Sequence, residues 1–552
     1  MGKQKLALAI LFVVLYGGGF VVTSSFKGTF HTDEPGNVMM TLNSYQSPEQ
    51  IFRYAAITSQ PPLDHFIRTY IWSYWGKRWE VFRQYPELYQ RLLSLLWWGL
   101  PIGYFLWQLQ NYSRRTQGVI ILGLTLAGTS VMNQFYVAEA RHYAAVAATM
   151  AAMIIVYLSD RVWLNEVKYH FLIISVLLPL LHLVSFPFYL TVVGFFLWEL
   201  KREGKMTRKS WGVIFGILTV YWIGVVWMYR AISVSSSGWQ NPSWRNVVEN
   251  LGYANYYFFR TWGWMLEGTW LFPGYRLLPE IISHHWPGIL LLISPAVVVI
   301  MAGKIKAGTE KLSLGLMGGL LLTVVWPVTF AAVIYRSNYF TGERYSIAIL
   351  PVIFLGVGEV IVSYLGKRTW VVAVVAGLTL AGAMGRWGRY LPIKLETAEN
   401  QIVREQPDIW RDDKNTIVFD NGVYSEAAQT LAMINKVGYK ITGINCRSGF
   451  PGGEKNLNLW LATAKQPVYL WGPKQGFMET DKIKWEDEDY ALYLLTEPVP
   501  GEYLCQAGSS NLTDRSDCWS RCLTSGVKSP DRRYLKYTSP HTDVFMPLPG
   551  EK

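Results

Sequence analysis

Residues 6–23 read LALAILFVVLYGGGFVVT, an uninterrupted apolar run directly after Lys3 and Lys5. A run of this kind fits a cleavable signal peptide or a first transmembrane helix, since about 20 helical residues cross the hydrocarbon core of a bilayer. No small-residue cleavage motif of the A-x-A kind follows the run. We therefore predict a retained membrane-spanning helix.

The composition of the whole chain also points to lipid. Of its 552 residues, 51% are hydrophobic and 16% are charged, whereas soluble domains carry about 25% charged residues. The 25 tryptophans and 33 tyrosines are the residue types that collect at membrane interfaces. The net charge of +12 comes mainly from basic residues between apolar segments, and no nucleic-acid-binding module is present. Nucleic acid is therefore not an expected partner.

Ten further segments are apolar enough to cross a bilayer. They are residues 89–109, 118–134, 142–158, 171–184, 186–200, 211–228, 287–301, 312–334, 345–365 and 370–384. The sequence thus predicts a polytopic α-helical membrane protein with about 11 transmembrane helices.

The loops alternate in charge. If Lys3 and Lys5 are cytoplasmic, all the remaining cytoplasmic loops are basic, as the positive-inside rule requires. These loops hold Arg114 and Arg115; Arg161 and Lys168; Lys201, Arg202, Lys205, Arg208 and Lys209; Lys304, Lys306 and Lys311; and Lys367 and Arg368. The C-terminal segment is then extracytoplasmic.

Two domains are predicted. The first is a transmembrane domain, residues 1–385, with long outer loops at 24–87 and 230–286, and such loops are usually functional. The second, residues 386–552, has the pattern of a small extracytoplasmic α/β domain. Its predicted strands are residues 416–420, 439–444, 468–471 and 490–496, with a helix at 425–435.

All four cysteines lie in this C-terminal region: Cys446, Cys505, Cys518 and Cys522. An even number confined to one extracytoplasmic region indicates two disulfides, for which three connectivities are open. Four free thiols or a zinc site are the alternatives, although the region has no CxxC pair.

The first outer loop contains adjacent carboxylates, Asp33 and Glu34, next to His31. Such a pair could provide a general base and its support. The alternative is ordinary helix capping, with Thr32 as the N-cap and Pro35 in the first turn.

Three other motifs lie at predicted outer ends of spans. Pro61 and Pro62 open a short amphipathic segment that contains His65; Glu139, Arg141 and His142 follow the third span; and Arg344 and Tyr345 open a late span. Two arginines at one level could clamp a lipid phosphate, because guanidinium binds phosphate oxygens in bidentate fashion. A lone Arg141 would instead extend to lipid headgroups.

Taken together, these motifs resemble those of the GT-C superfamily of polyprenyl-phosphate-sugar-dependent glycosyltransferases, in particular protein O-mannosyltransferases and bacterial aminoarabinose lipid A transferases. The resemblance rests on the Asp33-Glu34 pair, the Pro61-Pro62-Leu63 motif, the E-A-R-x-Y signature from Glu139 to Tyr143, and Arg344-Tyr345. It covers roughly the first 365 residues. Asp64 and His65 depart from the family pattern, and the C-terminal region matches no domain that we can name.

The resemblance implies roles for these residues. Asp33 would be the catalytic base for an inverting transfer to an extracytoplasmic acceptor, and Glu34 would orient it. Arg141 and Arg344, with His142 and Tyr345, would bind the donor phosphate. The expected partners are a polyprenyl-phosphate-linked sugar, an acceptor protein, lipid or glycan, and the inner membrane of a bacterium.

Two other functions fit the same topology. One is a ligase or polymerase of polyprenyl-diphosphate-linked glycans, and the other is a lipid or sugar transporter without chemistry. We expect no required cofactor. His31 and Glu34 could bind a divalent metal ion, but two residues make a weak site.

Overall fold

The computed structural model describes the helices of the N-terminal region and seven strands near the C-terminus. The described ranges are residues 2–27, 62–79, 86–159, 165–182, 185–202, 314–326, 347–365 and 369–390, seven strands between 416 and 547, and short pieces at 81–82, 204, 211–226, 328–329 and 405–406. The chain divides into two compact units, and all the strands belong to the second.

Helices α1 (Gly2–Phe12) and α2 (Gly18–Lys27) form one continuous helix through a π-helical turn at Val13–Gly17. The other helices are α3 (Pro62–Tyr74), α4 (Pro86–Trp97), α5 (Gly99–Trp107), α6 (Arg114–Thr129), α7 (Val131–Val137), α8 (Tyr143–Tyr157), α9 (Asn165–Leu181), α10 (Phe186–Arg202), α11 (Leu314–Leu320), α12 (Leu350–Leu365) and α13 (Thr369–Tyr390).

Helix α8 is the centre of the bundle. Every residue from Tyr143 to Tyr157 is buried, as expected for a helix that is apolar on all sides. Helices α5, α9 and α12 pack around it, and α12 and α13 pack along α6. The bundle's outer surface carries exposed apolar side chains such as Val13, Ile173 and Leu378, as expected for a surface that faces lipid.

Helices α6 and α12 approach each other closely through glycine. A Cβ atom at Gly123 would lie 2.9 Å from Leu355 Cα, and one at Gly358 would lie 2.7 Å from the Val119 carbonyl oxygen. Small residues allow such contacts between membrane helices, where packing replaces the hydrophobic effect as the driving force.

Among the described residues, two helices are long and apolar enough to cross a membrane, Gly2–Ser25 and Trp370–Gly388, and a third is if the bent pair α6 and α7 is one span. Shorter apolar helices are Tyr143–Tyr157, Tyr169–Leu181 and Leu350–Tyr364. The predicted number of 11 spans stays a prediction, because much of 203–346 lies outside the described residues.

Two predicted spans differ from the structure. Residues 118–134 were predicted as one helix, but the helix ends at Thr129 and α7 starts at Val131 after a 73° bend. Ser130 caps the new helix by accepting a bond from the Asn133 amide. Residues 89–109 likewise form two helices, α4 and α5, separated at Trp98.

The start of α1 and the end of α12 both contact the start of α6. Gln4 Nε2 lies 3.4 Å from Gln117 Oε1, and Arg115 Nη2 lies 2.7 Å from Ser363 Oγ. The ends predicted to be cytoplasmic therefore meet at the start of α6. At the other end of α6, Gly18 and Gly19 lie against side chains of α13 and α7.

The second unit contains a seven-stranded mixed sheet. Its strands are β1 (Thr416–Phe419), β2 (Tyr439–Gly443), β3 (Val468–Pro473), β4 (Ile483–Glu486), β5 (Tyr490–Leu495), β6 (Tyr534–Ser539) and β7 (Thr542–Pro547). The order is β4-β5-β3-β1-β2-β7-β6. The four central strands are parallel, with Ile417 opposite Ile441 and Tyr469, and antiparallel pairs close both edges.

The four predicted strands are present as β1, β2, β3 and β5. The sequence analysis missed β4, β6 and β7. The predicted helix 425–435 and the cysteines Cys446, Cys505, Cys518 and Cys522 lie outside the described residues.

Candidate functional site

Arg68 joins three segments of the chain. It lies one helical turn after Asp64 on α3, and its Nε donates to Asp64 Oδ2 at 2.6 Å with both side chains buried. Its Nη1 donates to the Gln90 carbonyl oxygen at 2.5 Å, and its Nη2 donates to Ser94 Oγ at 2.8 Å and to the Arg141 carbonyl oxygen at 3.1 Å. All three guanidinium nitrogens are thus used within the protein.

The turn between α7 and α8 carries the E-A-R signature. The Arg141 amide donates to the Glu139 carbonyl oxygen at 2.8 Å, and that oxygen also accepts a 2.5 Å bond from Ser94 Oγ. Because Arg68 donates to the Arg141 carbonyl oxygen, the backbone of the turn is attached to both α3 and α4. The side chains of Glu139 and Arg141 are presented from a fixed backbone.

The guanidinium of Arg141 is almost fully buried. Its Cζ lies 5.0 Å from the centre of the Tyr143 ring, which is within range of a cation–π interaction. Arginine is the cation suited to such a place, because its charge is delocalised and weakly hydrated. A buried ionisable group in a membrane protein generally marks a functional site.

Two histidines lie beside this arginine. The rings of His142 and His182 stack with centroids 5.1 Å apart, and the ring of His182 lies 5.8 Å from Tyr143. His182 Nδ1 shares a 2.9 Å hydrogen bond with Ser185 Oγ, which fixes its orientation. His142 Nε2 is buried and has no hydrogen-bond partner among the described residues.

A third histidine, His65, is on α3 next to Asp64. The pKa of His65 is lowered to about 4, mainly by burial; the charge of Asp64 opposes this shift, and the charges of Arg68 and Arg141 add to it. His65 is therefore neutral at physiological pH. It contributes hydrogen-bonding capacity to the cluster without adding a charge.

The structure brings together part of the predicted site. Arg141, His142 and His65 lie in this cluster, and Pro62 is buried at the first position of α3, where proline suits a helix start. The other predicted residues lie outside the described ranges. They are Asp33, Glu34, Pro61, Arg344 and Tyr345.

The sequence analysis missed four members of the cluster: Arg68, Gln90, Ser94 and His182. Gln90 and Ser94 begin a predicted span, and polar residues in a span generally face a partner inside the bundle. That rule could have identified them. Among the described residues, no group of three or more His, Cys, Asp or Glu side chains could hold a metal ion.

No protein-family model and no curated protein matches this chain. Among solved structures, the chain is similar to ArnT from Cupriavidus metallidurans bound to undecaprenyl phosphate, with 11% identity, a TM-score of 0.49 and coverage of 89% of this chain and 99% of that chain. The apo state of the same protein matches with 13% identity, a TM-score of 0.49 and coverage of 89% and 98%. At these values, the function proposed for this chain rests on its own residues.

Proposed function

We propose that this chain is a membrane glycosyltransferase of the GT-C type, which moves a sugar from a polyprenyl-phosphate donor to an extracytoplasmic acceptor. The observation that carries the proposal is the buried Arg141 guanidinium. It is held at the end of a broken helix, with His142 and His182 stacked beside it. A phosphate group is the ligand that such a set of donors suits.

The charges of the cluster favour an anionic ligand. Asp64 is occupied by Arg68 at 2.6 Å and by Trp97 Nε1 at 3.3 Å, so it is not available as a base. The guanidinium of Arg68 donates its hydrogen bonds to protein oxygens. We assign the Arg141 side chain to the donor phosphate, because it is a buried cation with His142 and His182 beside it.

The chemistry follows from this assignment. Asp33 removes the proton from the acceptor hydroxyl, and the acceptor oxygen attacks the anomeric carbon with inversion. The bond from that carbon to the phosphate oxygen breaks, and its electron pair leaves with the polyprenyl phosphate. Arg141 and, from the late outer loop, Arg344 with Tyr345 stabilise the negative charge that grows on this oxygen. Glu34 orients Asp33.

Helix α2 contacts both α4 and α7. Arg91 Nη1 lies 3.5 Å from the Ser24 carbonyl oxygen, near the end of α2. Gly19 lies beside Gln134, on the helix that leads to Arg141. Asp33 follows Ser24 by nine residues in the sequence.

One observation favours a second candidate, a transporter. Broken helices such as α6 and α7 are common in transporters, which use them to bind substrate near the middle of the membrane. Here the break lies near the end of the predicted span, which fits a site at the membrane surface better.

A donor assay on the purified full-length protein tests the proposal. Synthetic polyprenyl-monophosphate sugars, the matching diphosphates and a vesicle flipping assay are compared for the native chain and for Arg141→Gln. We expect sugar transfer from a monophosphate, reduced at least 100-fold in the variant. Transfer only from diphosphates, or lipid flipping without a product, would replace this function with the corresponding alternative.

A further inference from the structure

The break between α6 and α7 leaves the last carbonyl groups of α6 without hydrogen-bond donors from the same helix. When such a helix end is buried, other parts of the protein must supply the missing hydrogen-bond donors. Two side chains do so here. Gln134 Nε2 donates to the Gly128 carbonyl oxygen at 2.8 Å, and Arg386 Nη2 donates to the Thr129 carbonyl oxygen at 2.6 Å.

These side chains are also bonded to each other and to a tryptophan. Gln134 Oε1 accepts from Arg386 Nη2 and from Trp387 Nε1, both at 3.2 Å. Gln134, Arg386 and Trp387, which we call the elbow brace, therefore link the end of α6, the first turns of α7 and the end of α13. Both the amide and the indole are buried.

The N-terminal helix leaves room for the elbow brace at two consecutive glycines. A Cβ atom at Gly18 would lie 2.7 Å from the Trp387 ring, and one at Gly19 would lie 2.9 Å from Gln134 Nε2. Real Cβ atoms do not come this close to other heavy atoms, so any larger residue would displace the brace. Four helices thus meet at the break.

The brace is connected directly to the candidate site. Gln134 lies on α7, and its carbonyl oxygen accepts from the Ala138 amide at 3.1 Å, immediately before the turn with Arg141. A helix of seven residues is about 10 Å long. A change of about 10° at the break would therefore move the turn by about 2 Å, and even 1 Å is enough to cost about 100-fold in a transfer reaction.

We propose that Gln134, Arg386 and Trp387 are positioning residues: they set the angle between α6 and α7 and so place the Arg141 guanidinium for a lipid phosphate. The role assigned to Arg141 rests on the proposed function, whereas the control of the turn by the brace does not.

The chain offers a matched control at the other end of the same helix. Arg115 also joins α6 to another helix by one guanidinium bond, from Nη2 to Ser363 Oγ at 2.7 Å, and it is exposed at the end remote from the turn. Loss of this bond should loosen the bundle to a similar degree without changing the angle of the break.

The experiment compares Arg386→Met, Arg386→Lys and Arg115→Met in the full-length protein in nanodiscs. Two quantities are measured: backbone hydrogen exchange in peptides covering residues 138–142, and the Kd for undecaprenyl phosphate. For Arg386→Met we expect faster exchange in the turn and about tenfold weaker binding. Arg386→Lys keeps a donor near Thr129, so its exchange rate and its Kd should lie between those of Arg386→Met and the native chain. Arg115→Met should change neither the exchange rate nor the Kd.

Three outcomes would overturn the proposal. Unchanged exchange in Arg386→Met would mean that the brace does not hold the turn, and faster exchange with unchanged Kd would mean that it does not position Arg141. Equal effects in Arg115→Met would mean that the brace acts only by stabilising the bundle as a whole. If the native chain fails to bind undecaprenyl phosphate, the proposed function fails, and the exchange data alone decide whether the brace holds the turn.

Discussion

Nη2 of Arg68 donates a hydrogen bond to the carbonyl oxygen of Arg141 at 3.1 Å. One arginine thus holds the backbone of the other, and the two have different tasks. Arg68 is neutralised by Asp64 and fully engaged with protein oxygens, whereas we assign the side chain of Arg141 to the donor phosphate. We therefore expect substitution of Arg68 to lower stability and substitution of Arg141 to lower sugar transfer.

Arg68→Met should destabilise the fold. It leaves the Asp64 carboxylate buried without its cation, and loss of one partner from a buried ion pair costs about 3–5 kcal/mol. The double variant Asp64→Asn/Arg68→Met should be more stable than Arg68→Met, because no charge is stranded. Thermal unfolding followed by tryptophan fluorescence measures both, with the exposed Arg114→Met as control. An unfolding midpoint in Arg68→Met equal to that of the native chain would show that Arg68 is not structural.

Acid should weaken the fold through His65. Its pKa in the folded protein is about 4, below its ordinary value of about 6.5, so the unfolded chain binds the proton first. Its contribution to stability is complete above about pH 6.5 and is lost as the pH falls through about 4. Unfolding midpoints between these pH values should fall less steeply in His65→Gln than in the native chain. Identical slopes would exclude His65 as a cause of acid sensitivity.

The contact between α6 and α12 predicts a contrast between two glycines. A Cβ atom at Gly123 would lie 2.6 Å from Leu355 Cδ2, whereas one at Gly377 on α13 would have no neighbour within 4 Å. Gly123→Ala should cost about 1–3 kcal/mol through overpacking, and Gly377→Ala should be neutral or slightly stabilising. Thermal unfolding of the two variants side by side measures the difference. Equal midpoints would mean that the close packing at Gly123 does not limit stability.

Several features of the fold followed from the sequence, because they depend on local patterns. The β-branched and aromatic runs of β1, β2, β3 and β5 are present where predicted. Arg141, His142 and His65, predicted from two short motifs, lie in one cluster. These results rest on periodicity and on the membrane side of each loop.

Other features depend on contacts between distant residues, and sequence patterns do not contain them. The break at Ser130 lies inside an apolar run, and it is stabilised by Arg386 from more than 250 positions away along the chain. The structural role of Arg68 depends on its hydrogen bonds to Ser94 and to the turn, which are distant from it in the sequence. The strands β6 and β7 pair with each other, and β7 also pairs with β2, which is remote in sequence.

We propose that Asp33 acts as the base on a donor whose phosphate Arg141 holds. The most direct measurement is the turnover number of Asp33→Asn with a polyprenyl-monophosphate sugar, together with its Kd for undecaprenyl phosphate. Turnover should fall by about 100-fold to 10,000-fold, the range for loss of a general base, while the Kd stays within about twofold of the native value. Undiminished turnover in Asp33→Asn would contradict the account.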